Sequence, residues 1–235
     1  MKVLKNKKKV LSCGLIGIMF FSFVSTSNAQ EISGGFSIDV MSKYIWRGIK
    51  VHNKVAVQNN LYLSYKNFTV DFWSDYKTGD KSKVDEVDIT LDYTKKFTLK
   101  NEEFFLSAGY IYYDINEEDT QEVYIKGGYK ILNLPLFLKV SIYRDIDAIQ
   151  STYLEIKGSG EVNLNPLIFF PYMTFGYYWY DEGENDWNNL EFGLDGSYLL
   201  DEHLNAHFQA TYSIGNDDMG LEDEFWGGIG IEFSF

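Results

Sequence analysis

At 235 residues, with 45% hydrophobic and 23% charged side chains, the chain is sized for a domain and too apolar to be disordered. A formal net charge of −13 argues against nucleic acid as a partner, because phosphate neutralisation needs basic patches. A single Cys excludes a disulfide framework and a Cys-based zinc site, and three His (His52, His203 and His207) leave little for a metal enzyme. Neither a metal nor any other cofactor is expected.

The first 29 residues are expected to be a cleaved signal peptide. Lys2, Lys5, Lys7, Lys8 and Lys9 form a basic start, Val10 to Val24 is mostly apolar, and Ser27-Asn28-Ala29 offers small residues before a cut after Ala29. The apolar run is short for a spanning helix, and it follows Cys13 instead of preceding it, so no lipidation signal forms. Residues 30–235 would then be the mature domain. Its longest uncharged stretch, Val162 to Tyr180, contains Pro166 and Pro171 and many aromatics, which argues against a helix there.

From Ile32 onward about twelve segments alternate with period two, the signal of half-buried strands. The first is expected to run from Ile32 to Trp46, with Ser33, Ser37, Asp39, Lys43 and Arg47 on its polar side. Further segments set Leu61 and Leu63 against Asn60 and Ser64, Val70 and Phe72 against Asp71, and Ile89 and Leu91 against Asp88 and Asp92. Phe104 to Tyr112 is apolar on both sides, so its orientation stays open. Val123 and Ile125 alternate with Glu122 and Lys126, Leu138 and Val140 with Lys139, and Leu154 and Ile156 with Glu155. The remaining segments include aromatic Pro171 to Trp179, Leu190 to Leu194 against Glu191 and Asp195, Ala206 to Tyr212, and Phe225 to Phe235.

A soluble sandwich and a membrane barrel share this alternation. The barrel is favoured because a charged face recurs on nearly every segment, as a lumen requires. Tyr44, Trp46, Tyr65, Tyr76, Tyr93, Tyr112, Tyr129, Trp179 and Tyr198 sit at segment ends, where interfacial girdles form. The last segment carries Ile229, Ile231, Phe233 and Phe235 at every second position. This ending resembles the assembly signal of Gram-negative outer-membrane barrels, in which Phe233 and Phe235 would be read by the barrel-assembly machinery. The expected fold is therefore all-β, a transmembrane antiparallel up-and-down barrel of about twelve strands in the cell outer membrane. Outer-membrane lipid and lipopolysaccharide would surround it. None of the outer loops is expected to be long enough to fold deep into the lumen as a constriction.

The run Ser42-Lys43-Tyr44-Ile45-Trp46-Arg47-Gly48-Ile49, followed by Val55-Ala56-Val57-Gln58, resembles the opening of the TorF-type porin family of small Gram-negative outer-membrane proteins. That pattern is S-x-Y-x-[FW]-R-G and then P-A-x-Q, with Val55 here in place of the proline. Trp73-Ser74 on the third segment also fits. The resemblance implies a barrel and a porin-like role, and names no solute.

Strand parity directs Asp39, Asp71, Asp75, Asp88, Asp92, Glu122, Glu155, Glu191, Asp195 and Glu232 inward, against Lys43, Arg47, Lys66, Lys126, Lys139 and Lys157. An excess of lumen carboxylates predicts a channel for small solutes or ions that prefers cations. The alternative is a closed structural or adhesive barrel held shut by its own ion pairs, with Arg47 as a clamp on the first loop. Acid-dense outer loops match no calcium-loop spacing. A barrel enzyme is least expected, because no nucleophile stands in a recognisable spacing to a His.

Overall fold

The computed structural model describes residues 32–79, 83–99, 102–115, 119–131, 135–183 and 185–235. The expected signal peptide and Ala29 lie outside the described residues. Fifteen strands follow in order: β1 (Ile32–Met41), β2 (Tyr44–Trp46), β3 (Ile49–His52), β4 (Ala56–Tyr65), β5 (Phe68–Lys77), β6 (Lys83–Leu99), β7 (Glu102–Ile115), β8 (Thr120–Ile131), β9 (Leu136–Asp145), β10 (Ser151–Gly160), β11 (Val162–Leu164), β12 (Leu167–Tyr180), β13 (Asp186–Leu199), β14 (Leu204–Gly215) and β15 (Glu224–Ser234). No described helix is long and apolar enough to cross a membrane, and Val162–Tyr180 forms β11 and β12.

Twelve of these strands close into an antiparallel barrel in the order β1, β4 to β10, β12 to β15, with β15 returning to β1. At the closing seam Phe36 faces Phe233 and Ile38 faces Ile231. Phe235 extends this ladder by exchanging backbone hydrogen bonds with Gly34 at 2.9 and 3.0 Å. Each spanning strand has ten or more residues, about the nine to eleven that a tilted strand needs to cross the hydrocarbon.

Alternation decides what each strand shows to lipid. Ile89, Leu91, Val140, Ile142, Leu194, Ile229 and Ile231 are exposed on the outer face. In the lipid reading of that face, the Tyr65, Tyr76, Tyr93, Trp179 and Tyr198 rings are exposed with it. Asp88, Asp92, Glu122, Glu191 and Asp195 are buried on the other face of the same strands. β7, undecided by pattern, turns Phe105, Ser107, Ile111 and Tyr113 inward and Leu106 outward.

The first segment departs from expectation. β1 ends at Met41, and Tyr44 to His52 form a separate hairpin that pairs only with itself. Tyr44 and Trp46 are therefore buried inside, not girdle residues. The reason is local: Arg47 and Gly48 both have positive φ, 48° and 76°, the backbone of a type I′ turn, which reverses the chain in two residues. Loop length was the wrong criterion for reach, since so tight a reversal lets a short connection fold inward. A second correction concerns Lys66. It occupies the exposed β4–β5 turn with φ 55°, so strand parity does not apply to it.

Candidate functional site

The barrel interior falls into two levels. The level nearer the C-terminal end of β1, here called the outer level, is filled by the β2–β3 hairpin. It leaves the end of β1 and carries Arg47 across to the opposite wall, formed by β8, β9, β10, β12 and β13. There the guanidinium donates to both carboxylate oxygens of Glu122, at 2.9 and 2.8 Å, and to Tyr178 Oη at 3.3 Å. It stacks 4.3 Å from the Tyr143 ring centroid and 4.5 Å from that of Tyr153, with Trp46 at 4.4 Å behind it. Such a planar fork matches a carboxylate and an aromatic face together, which an ammonium does not. Arg47 is 8% exposed and Glu122 3%, so the pair is dry.

The cage follows from sheet register. Tyr124, Tyr143, Tyr153 and Tyr178 stand opposite one another on β8, β9, β10 and β12, giving a continuous inner row of rings. Tyr113 from β7 donates to the second Glu122 oxygen at 2.7 Å. From β13, Asn188 donates to the Arg47 carbonyl, and Asn189 lies against Gly48, where a Cβ would come within 2.5 Å of Asn189 Cβ. The rest of the hairpin is held by charge. Lys43 meets Glu224 at 2.6 Å, Lys50 reaches Glu222 at 2.9 Å and also Glu224, and His52 pairs with Asp75 at 2.9 Å.

Below the hairpin lies a second level of charged residues. On one wall Lys126 packs 3.9 Å over Tyr124, Lys157 3.7 Å over Tyr172, and Lys139 bonds Glu155 at 2.9 Å. Carboxylates stand on the other strands: Asp39 with His207, Asp71 with Asn60, Asp92 with Tyr124 and Ser107, Glu191 with Asn189, then Asp195 and Glu232. The structure thus brings Asp39, Asp71, Asp88, Asp92, Glu122, Lys139, Glu155, Glu191 and Asp195 inside the barrel, as parity required, and adds Arg47 from the hairpin. They do not form one ring. Lysines cluster on β8 to β10, and acids occupy much of the remainder.

Several interior groups escaped the sequence reading. β6 begins at Lys83, so Glu86 lies in the strand and shares the inward parity of Asp88, with a bulge just before it opposite Asp75 and Tyr76. Asp145, at the end of β9, and Glu224, at the start of β15, are likewise buried inside. The caging tyrosines were legible in principle, since Tyr143 and Tyr153 share parity with Ser141 and Glu155.

Among the described residues, His52, Asp75 and Asp85 stand close enough to suggest a metal. The hydrogen bonding opposes it. Lys54 N–H donates to His52 Nδ1, so Nε2 carries the proton and gives it to Asp75. Asp85 is held by Lys77 and Lys83 at 3.0 and 2.9 Å. The His52–Asp75 hydrogen bond is a latch that ties the hairpin to β5.

Neither family models nor curated proteins match the chain. Solved structures do. A KdgM porin superposes with a TM-score of 0.58 at 10% identity, over 86% of this chain and 99% of its own. An outer-membrane channel from Pseudomonas putida F1 gives 0.55 at 13% identity over 87% and 95%. Outer membrane phospholipase A from Escherichia coli gives 0.51 at 12% over 89% and 94%. At such identities the shared property is the outer-membrane barrel fold, which both channels and an enzyme use.

Proposed function

We propose that this chain is an outer-membrane porin-like channel for passive diffusion of small solutes or ions, preferring cations and closed at its outer mouth by the β2–β3 hairpin. The observation that carries the reading is the nature of the closure. A barrel meant to be solid fills itself with side chains from its own wall, as eight-stranded barrels do. Here twelve strands enclose a wider interior, and its outer half is stopped by one segment that shares no strand pairing with the wall. The inner half keeps Asp39, Lys139 and Glu155 partly accessible to water, at 24%, 25% and 19%. Export through a cleaved signal peptide, assembly through Phe233 and Phe235, and the TorF-type opening motif all agree with this reading, as do the porin and channel neighbours.

Cation preference follows from charge. Asp39, Asp71, Asp92, Glu155, Glu191, Asp195 and Glu232 face Lys126, Lys139 and Lys157 around the inner level, and acidic linings favour cations. The second reading, a closed structural or adhesive barrel, draws on the buried Arg47–Glu122 pair, which could lock the hairpin permanently. An enzyme is disfavoured by the two interior histidines, whose Nε2 atoms face carboxylates and not hydroxyls. Reconstitution in planar bilayers under a salt gradient separates these. Small conductance steps with a cation-selective reversal potential support the channel. Silence from folded protein, for wild type and hairpin variants alike, supports the closed barrel.

A further inference from the structure

The pocket that receives Arg47 is a built site for a guanidinium group. It offers a carboxylate placed to accept two parallel N–H donors, a phenol oxygen on one edge at 3.3 Å, and two tyrosine faces within 4.5 Å of the central carbon. All of these except Arg47 belong to the barrel wall, on β8, β9, β10 and β12. The wall therefore keeps the site when the hairpin leaves, and the hairpin merely supplies the occupant. Glu122 has a second donor in Tyr113, which fixes its orientation independently of Arg47.

We infer that the Glu122–Tyr143–Tyr153–Tyr178 cage is the recognition site for a guanidinium-bearing solute, and that Arg47 is a tethered surrogate which such a solute displaces to open the mouth. The inference deepens the channel reading and rests on it for the solute's passage, though not for its binding. The selectivity has a chemical basis. An alkali cation cannot stack on rings and donate in the carboxylate plane. A quaternary ammonium can sit on the rings but has no N–H for Glu122 or Tyr178. Once released, the cation would meet Asp92, Glu191, Asp71 and Asp195 on the inner level. Displacement must overcome a tethered competitor, whose effective concentration is on the order of millimolar or higher. The solute must therefore be present at about that level, as suits diffusion through a porin more than high-affinity uptake.

The cage can be tested without conduction. Arg47→Ala protein, folded in detergent and checked by its β-sheet circular dichroism, is titrated with guanidinium chloride by calorimetry, with tetramethylammonium chloride and NaCl at matched ionic strength as controls. Saturable guanidinium binding, at least tenfold tighter than tetramethylammonium and weakened at least tenfold by adding Glu122→Gln, is the expected result. Equal binding of the three cations, or binding indifferent to Glu122→Gln, overturns the inference. Should Arg47→Ala not fold, Arg47→Lys keeps the buried charge and loses the fork. Guanidinium should then displace the residue at lower concentration than in wild type, and equal concentrations for the two would count against the cage. In bilayers, millimolar guanidinium should raise wild-type opening where NaCl does not, and should block sodium current through Arg47→Ala. A conducting protein that ignores guanidinium in both forms overturns the inference while the channel stands. Total silence together with specific calorimetric binding overturns the channel and leaves the cage.

Discussion

Lys139 and Lys157 stand directly opposite each other across the β9–β10 ladder, both directed into the lumen. Like charges so placed repel, and Glu155, two residues before Lys157 on the same face, relieves them by bonding Lys139 at 2.9 Å. Lys157 turns away onto the Tyr172 ring. This carboxylate is therefore committed to lysine neutralisation and contributes little free negative field.

Glu155→Gln should consequently lower cation preference more than its place in the sequence suggests. It exposes two facing ammonium groups and removes one acid at once. The reversal potential should move toward, or past, zero. Asp195→Asn should give a smaller shift, because it leaves the Glu155–Lys139 pair intact. Equal shifts from the two would mean that the interior acts as a diffuse field without local pairing.

The lipid face makes a prediction about assembly. Leu91, Val140 and Leu194 are exposed mid-strand on the outer surface. Replacing any of them with Arg should cost about 2–4 kcal/mol at the bilayer midplane, with less for sites nearer the interfaces. Reversible unfolding into urea from lipid vesicles measures this. Harmless Arg at all three, with Arg at inward Thr211 equally harmless, would mean the apolar face does not meet hydrocarbon.

Most of the barrel was legible because each strand repeats one physical rule, in which alternate residues meet lipid or lumen. Asp88 and Ile89, or Glu191 and Phe192, could be assigned to opposite faces with no knowledge of their partners. The plug was not legible, because it breaks that rule. Tyr44 and Trp46 continue the alternation of β1 without interruption, and only the positive φ values at Arg47 and Gly48 reveal that the chain has turned back. The Arg47-Gly48 dipeptide is the available signal: it suggests an inward residue or a clamp on the first loop, and neither by itself places the hairpin inside the barrel. Glu86 keeps the parity of Asp88 and escapes notice because the polar start of β6, Lys83 to Glu86, has the composition of a loop. The cage itself joins residues from four neighbouring strands, β8, β9, β10 and β12, a juxtaposition that depends on register across that wall.

The Arg47–Glu122 pair should behave as a latch. Removing one partner of a dry ion pair typically costs about 3–5 kcal/mol when the other charge stays buried. Here the hairpin can swing into water, so Glu122→Gln should release it instead of unfolding the barrel. Larger and more frequent conductance steps are expected, with urea stability lowered by less than that range. Loss of the folded barrel from Glu122→Gln would show that the hairpin is part of the folding core and not a movable stopper.

Gly48→Ala separates geometry from chemistry. At φ 76° an alanine is strained, and its Cβ would come within 2.5 Å of Asn189 Cβ. Strain of this kind costs on the order of 1–3 kcal/mol, and Asn189 is buried and backed by Glu191 at 2.8 Å, so it cannot easily yield. The hairpin should therefore leave the outer level although Arg47, Glu122 and every lumen charge remain. The expected phenotype is more frequent opening with the wild-type reversal potential. Glu122→Gln, by contrast, should open the mouth and also reduce cation preference, because it removes a wall charge. If Gly48→Ala stays as closed as wild type, the hairpin tolerates the clash and Asn189 is not its seat. If it opens with altered selectivity, the hairpin's own charges, Lys43, Arg47 and Lys50, help set the field even when they are displaced to the mouth.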